Sequence, residues 1–121
     1  MIKRLKFVSI PVADQQRAKA FYRDVMGFKI MTEQHFSPTQ SWIEMAIPGA
    51  ETRIVLLTPE GHEDRVGGFM NLSLECDDVA ATYKQLSGRG AQFEGPVQAQ
   101  PWGTFAKLRD SDGNQLLLSS G

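Results

Sequence analysis

At 121 residues, with 41% hydrophobic and 22% charged side chains, the chain has the size and balance of one compact globular domain able to bury its own core. A net charge of −1 supplies no basic field for nucleic acid and no strongly acidic surface for a cationic ligand. Apolar runs of only a few residues give no membrane span, nothing before Phe7 reads as a signal peptide, and the single cysteine, Cys76, excludes an intrachain disulfide and suits a reducing cytoplasm. The expected partner is a small molecule.

Val8, Ile10 and Val12 alternate with Phe7, Ser9 and Pro11, the period-two pattern of a strand with one apolar face. Asp14 is placed to cap a helix, because its carboxylate accepts from the free first-turn amides. Ala18, Phe21, Tyr22 and Val25 then follow at helical spacing, and Gly27 closes the helix in a left-handed cap. Strands are predicted over Phe28–Gln34, Trp42–Ile47 and Arg53–Thr58, separated by Ser37-Pro38 and Pro48-Gly49 and ended by Pro59-Glu60-Gly61.

The second half repeats this order. Met70, Leu72 and Leu74 alternate with Asn71, Ser73 and Glu75. Asp77 or Asp78 caps a helix carrying Val79, Tyr83 and Leu86, which Gly88 or Gly90 closes. A strand at Gln92–Phe93 or Val97–Gln100 precedes strands at Thr104–Arg109 and Gln115–Ser119. The last two flank Asp110-Ser111-Asp112-Gly113-Asn114, strong hairpin-turn chemistry because Asp and Asn tolerate left-handed backbone and Gly adopts it freely. Phe7 aligns with Asn71 at an offset of 64, whereas Tyr22 with Tyr83 and Leu56 with Leu117 align at 61. Two βαβββ modules, at about 1–60 and 69–121 within a single domain, are expected, joined by the polar stretch from Glu60 to Gly68.

The C-terminal turn with its apolar strand Leu116-Leu117-Leu118, taken with the segment Phe7 to Phe28, resembles the two halves of the vicinal oxygen chelate superfamily. That superfamily includes glyoxalase I, extradiol dioxygenases and the bleomycin and fosfomycin resistance proteins. The resemblance implies an α+β fold in which the two modules form a partly open, eight-stranded mixed sheet barrel, its concave side holding the ligand. Alternation puts the set Val8, Ile10, Val12 and the set Met70, Leu72, Leu74 under the helices. Phe7, Ser9, Pro11 and Asn71, Ser73, Glu75 then face the other way, Asn71 and Ser73 into the pocket and Glu75 toward solvent.

Enzymes of this superfamily hold a metal through His, Gln or Glu on the first and last strands of each module. Carried over, those positions fall on Phe7, Asn71, Leu117 and Leu56, or on Val55 if the register is off by one. Phe, Leu and Val offer no donor and Asn71 only one neutral oxygen, so no metal and no cofactor are expected, over an apolar pocket floor. A relocated metal would have to draw on His35 and His62 with Glu33, Glu44 or Glu63, none at a ligand-like spacing.

Cys76 reads as a packed thiol, and Asp14-Gln15-Gln16 and Asp77-Asp78-Val79 would repel a phosphate at either helix start. Trp42 and Trp102 offer flat faces for stacking, Trp102 at the rim where relatives contact ligands. Lys107 and Arg109 share one face of their strand and Thr104, Ala106 and Leu108 the other, and alternation alone leaves open which is inward. The expected function is metal-free binding, and possible sequestration, of a small organic molecule by Phe7, Ser9, Trp42, Glu44, Leu56, Asn71, Ser73, Trp102 and Leu117, in a homodimer with Phe69 or Trp102 near the contact. The alternative is a lyase, isomerase or dioxygenase relative, using a relocated metal or acid–base chemistry by Glu44 or Glu75.

Overall fold

A computed structural model describes residues 1–120, which form two compact units, Met1–Val66 and the chain from Gly67 onward. In the first unit the order is β1 (Phe7–Pro11), α1 (Gln15–Asp24), β2 (Lys29–His35), β3 (Ser41–Ala46) and β4 (Arg53–Leu57), followed by an exposed 3₁₀ turn at Glu63–Arg65. The sheet runs β1-β4-β3-β2, with β1 parallel to β4 and the other pairs antiparallel. Asp14 caps α1, its Oδ1 accepting from the Arg17 amide at 3.0 Å. Gly27 turns left-handed at φ +81°, which lets the Phe28 amide reach back to the Tyr22 carbonyl at 2.9 Å and closes the helix.

Register fixes the two faces of this sheet. One carries the rung Ile10, Leu56, Ile43, Glu33. Glu33 on that rung is bonded by Lys19 and Gln16 of α1, so this is the helix side. Ile10, Ile43, Met45, Ile54 and Leu56 are buried there with Ala18 and Tyr22 of the helix. The opposite face carries the rungs Phe7, Arg53, Ala46, Lys29 and Ser9, Val55, Glu44, Thr32.

The second unit repeats the plan as β5 (Phe69–Glu75), α2 (Val79–Gly88), β6 (Gln92–Phe93), β7 (Gln98–Gln100), β8 (Gly103–Arg109) and β9 (Gln115–Ser119). Its sheet runs β5-β9-β8-β6, with β7 also paired to β8. Asp78 rather than Asp77 caps α2, accepting from the Ala81 amide at 3.0 Å. Gly88 is the helix's last residue, and Gly90 takes the left-handed conformation after it. Both alternatives for the first strand after α2 exist, because β8 is long enough to pair with β6 at one end and β7 at the other. The described residues therefore contain nine strands instead of eight, in two mixed sheets that are not closed.

Here too a ring contact orients the sheet. Phe93 lies 4.2 Å from Tyr83 of α2, centroid to centroid, and shares a rung with Leu108 and Leu116. That face, with Ala106 and Leu118, is the buried one. The face away from the helix carries Ser73, Leu117, Lys107 and, one rung on, Glu75, Ser119, Phe105. The β8–β9 turn is built as its composition demands: Asp110 Oδ1 accepts from the amides of Asp112 and Asn114, both at 2.9 Å, and Gly113 sits at φ +83°.

Candidate functional site

The face of the first sheet that points away from α1 gathers most of the chemistry of its unit. Phe7 on the edge strand β1 and Trp42 on β3 are separated by β4, yet their rings meet edge to face with centroids 5.4 Å apart. Trp42 is held by its indole Nε1, which donates to Glu44 Oε1 at 3.3 Å. The other carboxylate oxygen of Glu44 accepts from Arg53 Nη1 at 3.2 Å. Ser9 and Val55 lie between these side chains, paired across the ladder. The result is an aromatic wall locked to a charged pair, all half-buried.

The corresponding face of the second sheet is assembled differently. Trp102 is 71% exposed, and its ring stacks on Phe105 at 5.5 Å with an interplanar angle of 11°. Ser73 and Ser119 share a 2.5 Å hydrogen bond between their hydroxyls, next to Leu117 and Lys107. At the far end Arg109 pairs with Glu94, which also accepts from Gln115. The ladder therefore answers what alternation left open: Lys107 and Arg109 point away from the helix, Ala106 and Leu108 toward it.

Two positions differ from expectation. Leu56 pairs with Ile10 and Ile43 and is fully buried on the helix side, so it is a core residue; Val55, paired with Ser9, holds the last-strand position on the opposite face. The equivalent rungs are thus Ser9 with Val55 and Ser73 with Leu117, offsets of 64 and 62 in place of 64 and 61. Asn71 sits in a bulge where the β5–β9 register shifts, with φ +52°. Asparagine tolerates this left-handed backbone better than most residues, and a bulge re-aims the side chain it carries. Sequence reasoning missed Arg53 and Phe105. Counting parity outward from Glu44 and Leu117 across the paired strands is the signal that finds them.

The residues considered for a relocated metal are not brought together. Glu33 is committed to Lys19 and Gln16, which hold its carboxyl below the usual range. Glu44 is committed to Trp42 and Arg53, and Glu63 accepts from the Gly61 amide. His35 Nδ1 bonds the Ser41 hydroxyl at 2.9 Å, while His62 precedes the 3₁₀ turn in an exposed loop. Among the described residues no three His, Cys, Asp or Glu side chains form a set able to hold a metal ion. Cys76 is half-buried, and burial pushes its thiol up, away from the thiolate a nucleophile needs.

A polar cleft of about 390 Å³ lies elsewhere, where the β2–β3 hairpin meets the start of α1. Its wall is pinned by Gln15, which bonds the Ser41 backbone at 2.6 and 2.9 Å and the Leu56 carbonyl at 3.0 Å. Gln40 contributes an oxygen that accepts from Thr58 N at 2.8 Å. Among the described residues no helix is long and apolar enough to cross a membrane.

A βαβββ unit and a second unit of the same plan with one extra short strand, each with one helix over one side of a mixed sheet and aromatic and polar groups on the other, define an α+β class of repeated modules. The sequence profile of the Glyoxalase/Bleomycin resistance protein/Dioxygenase superfamily matches residues 4–118, and the chain belongs to that superfamily. It is 36% identical to the protein YetH of Bacillus subtilis (strain 168), over 98% of both chains. Among solved structures, a superfamily member from Sphaerobacter thermophilus DSM 20745 superimposes with a TM-score of 0.89 at 32% identity, covering 99% of this chain and 98% of that one. TnmS3, an antibiotic binding protein from Streptomyces sp. CB03234, superimposes with a TM-score of 0.84 at 34% identity, over 98% and 96% of the two chains.

Proposed function

We propose that the protein binds a small, partly aromatic organic molecule without a metal, and that sequestration is its role. The observation that carries this reading is the Phe7–Trp42 pair, fixed through Glu44 on the face away from α1. An indole held by a hydrogen bond at its edge keeps its face oriented at little entropic cost on binding, which favours a flat apolar ligand. Likeness to an antibiotic binding protein supports the same class of activity. So do Phe7, Val55 and Leu117, which stand on ladder positions where a metal-dependent relative would need donors. In this reading Ser9 supplies a polar contact beside the Phe7–Trp42 wall; on the second sheet, taken by itself, Asn71 and Ser73 are the polar groups and Trp102 with Phe105 a stacking surface.

Native mass spectrometry of the purified protein, run beside a chelator series, tests the proposal. The expected result is a retained organic molecule of a few hundred daltons and a melting temperature unchanged by EDTA. Because a metal at ~100 times its dissociation constant adds about 2.7 kcal/mol, its removal would lower the melting temperature by several degrees. Such a drop, with one equivalent of metal by elemental analysis, would favour the enzymatic alternative.

We further propose a two-fold homodimer. Phe69 and Trp102 are 65% and 71% exposed, and each sheet ends in strands with one unpaired edge. Sedimentation at tens of micromolar should give twice the chain mass, from an interface burying more than ~1,000 Å². A monomer under those conditions would count directly against it.

A further inference from the structure

The face that carries the aromatic wall has an unequal supply of charge and of hydrogen-bonding capacity. Glu44 spends one oxygen on Trp42 and the other on Arg53. Arg53 presents five N–H donors, of which one is engaged by Glu44, and among the described residues the rest meet no acceptor. Its side chain is 33% accessible and comes from the strand position directly opposite Phe7. The same rung ends on the exposed Lys29, so this face holds two cations against the one carboxylate of Glu44.

From this we infer that the molecule bound at the Phe7–Trp42 wall is an aromatic acid, or an aromatic carrying an equivalent anionic oxygen, whose charged group is received by Arg53. The inference rests on the proposed binding function and adds the chemical class of its ligand. A guanidinium recognises a carboxylate through two parallel N–H donors, and Arg53 keeps donors free for such a fork. Glu44 is then a positioning residue: it orients the Trp42 indole and steadies the guanidinium while partly offsetting its charge. A cationic ligand would instead meet a face on which Arg53 and Lys29 outnumber the one carboxylate, Glu44, which Arg53 already partly neutralises.

The test uses the full chain with two probes of the same size, 2-naphthoate and neutral 2-naphthamide, titrated calorimetrically at low salt. Naphthoate should bind about tenfold more tightly than naphthamide, the scale of one charge-assisted bond at a partly exposed site. R53M should abolish that preference, bringing naphthoate down to the affinity of naphthamide for the same variant, and R53K should keep part of it. E44Q should move the other way, tightening naphthoate by about threefold because the guanidinium is no longer shared with a carboxylate. Equal binding of the two probes, or a naphthoate preference that survives R53M, would overturn the inference and leave the binding function standing. Failure of both probes to bind would remove the binding function and the inference together.

Discussion

Replacement of Asn114 by leucine is expected to destabilise the protein by about 3–5 kcal/mol, chiefly through lost hydrogen bonds, with overpacking by the larger side chain adding to it. Asn114 is fully buried, and both ends of its amide are used. Its Nδ2 donates to Asp110 Oδ2 at 2.9 Å, and its Oδ1 accepts from the Gly67 amide at 2.8 Å, tying the β8–β9 turn to the chain entering β5. Leucine leaves the buried Asp110 carboxylate one donor short and strands the Gly67 amide. The melting temperature should fall by about 10 °C or more, whereas Ser111→Ala in the same turn should stay within about 0.5 kcal/mol of the parent. Asn114→Asp makes a sharper test. It sets a second carboxylate against Asp110, so one of the pair must hold a proton in the folded state at a raised pKa. The penalty is absent below the unfolded carboxylate pKa of about 4 and grows as pH rises above it. Urea titrations from pH 4 to 7 should show the variant falling steadily behind; a pH-independent loss would refute this account of the turn.

The same turn shows why parts of this fold were legible from residue order alone. Asp110 to Asn114 carry their own hydrogen-bonding instructions within five residues, as do the caps at Asp14 and Gly27. Alternation in β1 likewise sorted Ile10 and Val12 from Phe7 and Ser9 before any partner strand was known. In β4 that signal fails. Ile54, Val55 and Leu56 are consecutive, all apolar and all buried, so nothing within the strand says which of them faces the helix. Pairing to β1 decides it, and pairing is a property of two segments about 46 residues apart. The bulge at Asn71 hides for a related reason, because an extra residue is visible only against its partner. The meeting of Phe7 with Trp42 and the role of Arg53 depend on three strands being in register, which no local pattern encodes.

Leu56→Ala and Trp42→Ala should separate core from site by failing in opposite ways. Leu56 has no exposed surface and lies between Ile10 and Ile43 beneath α1, so truncation opens a cavity and should cost about 3 kcal/mol or more. Nothing on the opposite face is touched, and the folded fraction of that variant should bind 2-naphthamide within about twofold of the parent. Trp42 is only half-buried, and its loss removes one edge-to-face contact and one hydrogen bond, which together cost about 1–2 kcal/mol. Yet it takes away the stacking surface, so affinity for naphthamide should drop by tenfold or more. A Trp42→Phe variant keeps a ring but loses the Nε1 bond to Glu44, and should recover part of the binding. Stability is read by urea titration and affinity by calorimetry well below each melting temperature. If Trp42→Ala binds normally while Leu56→Ala does not, the ligand face has been assigned to the wrong side of the sheet.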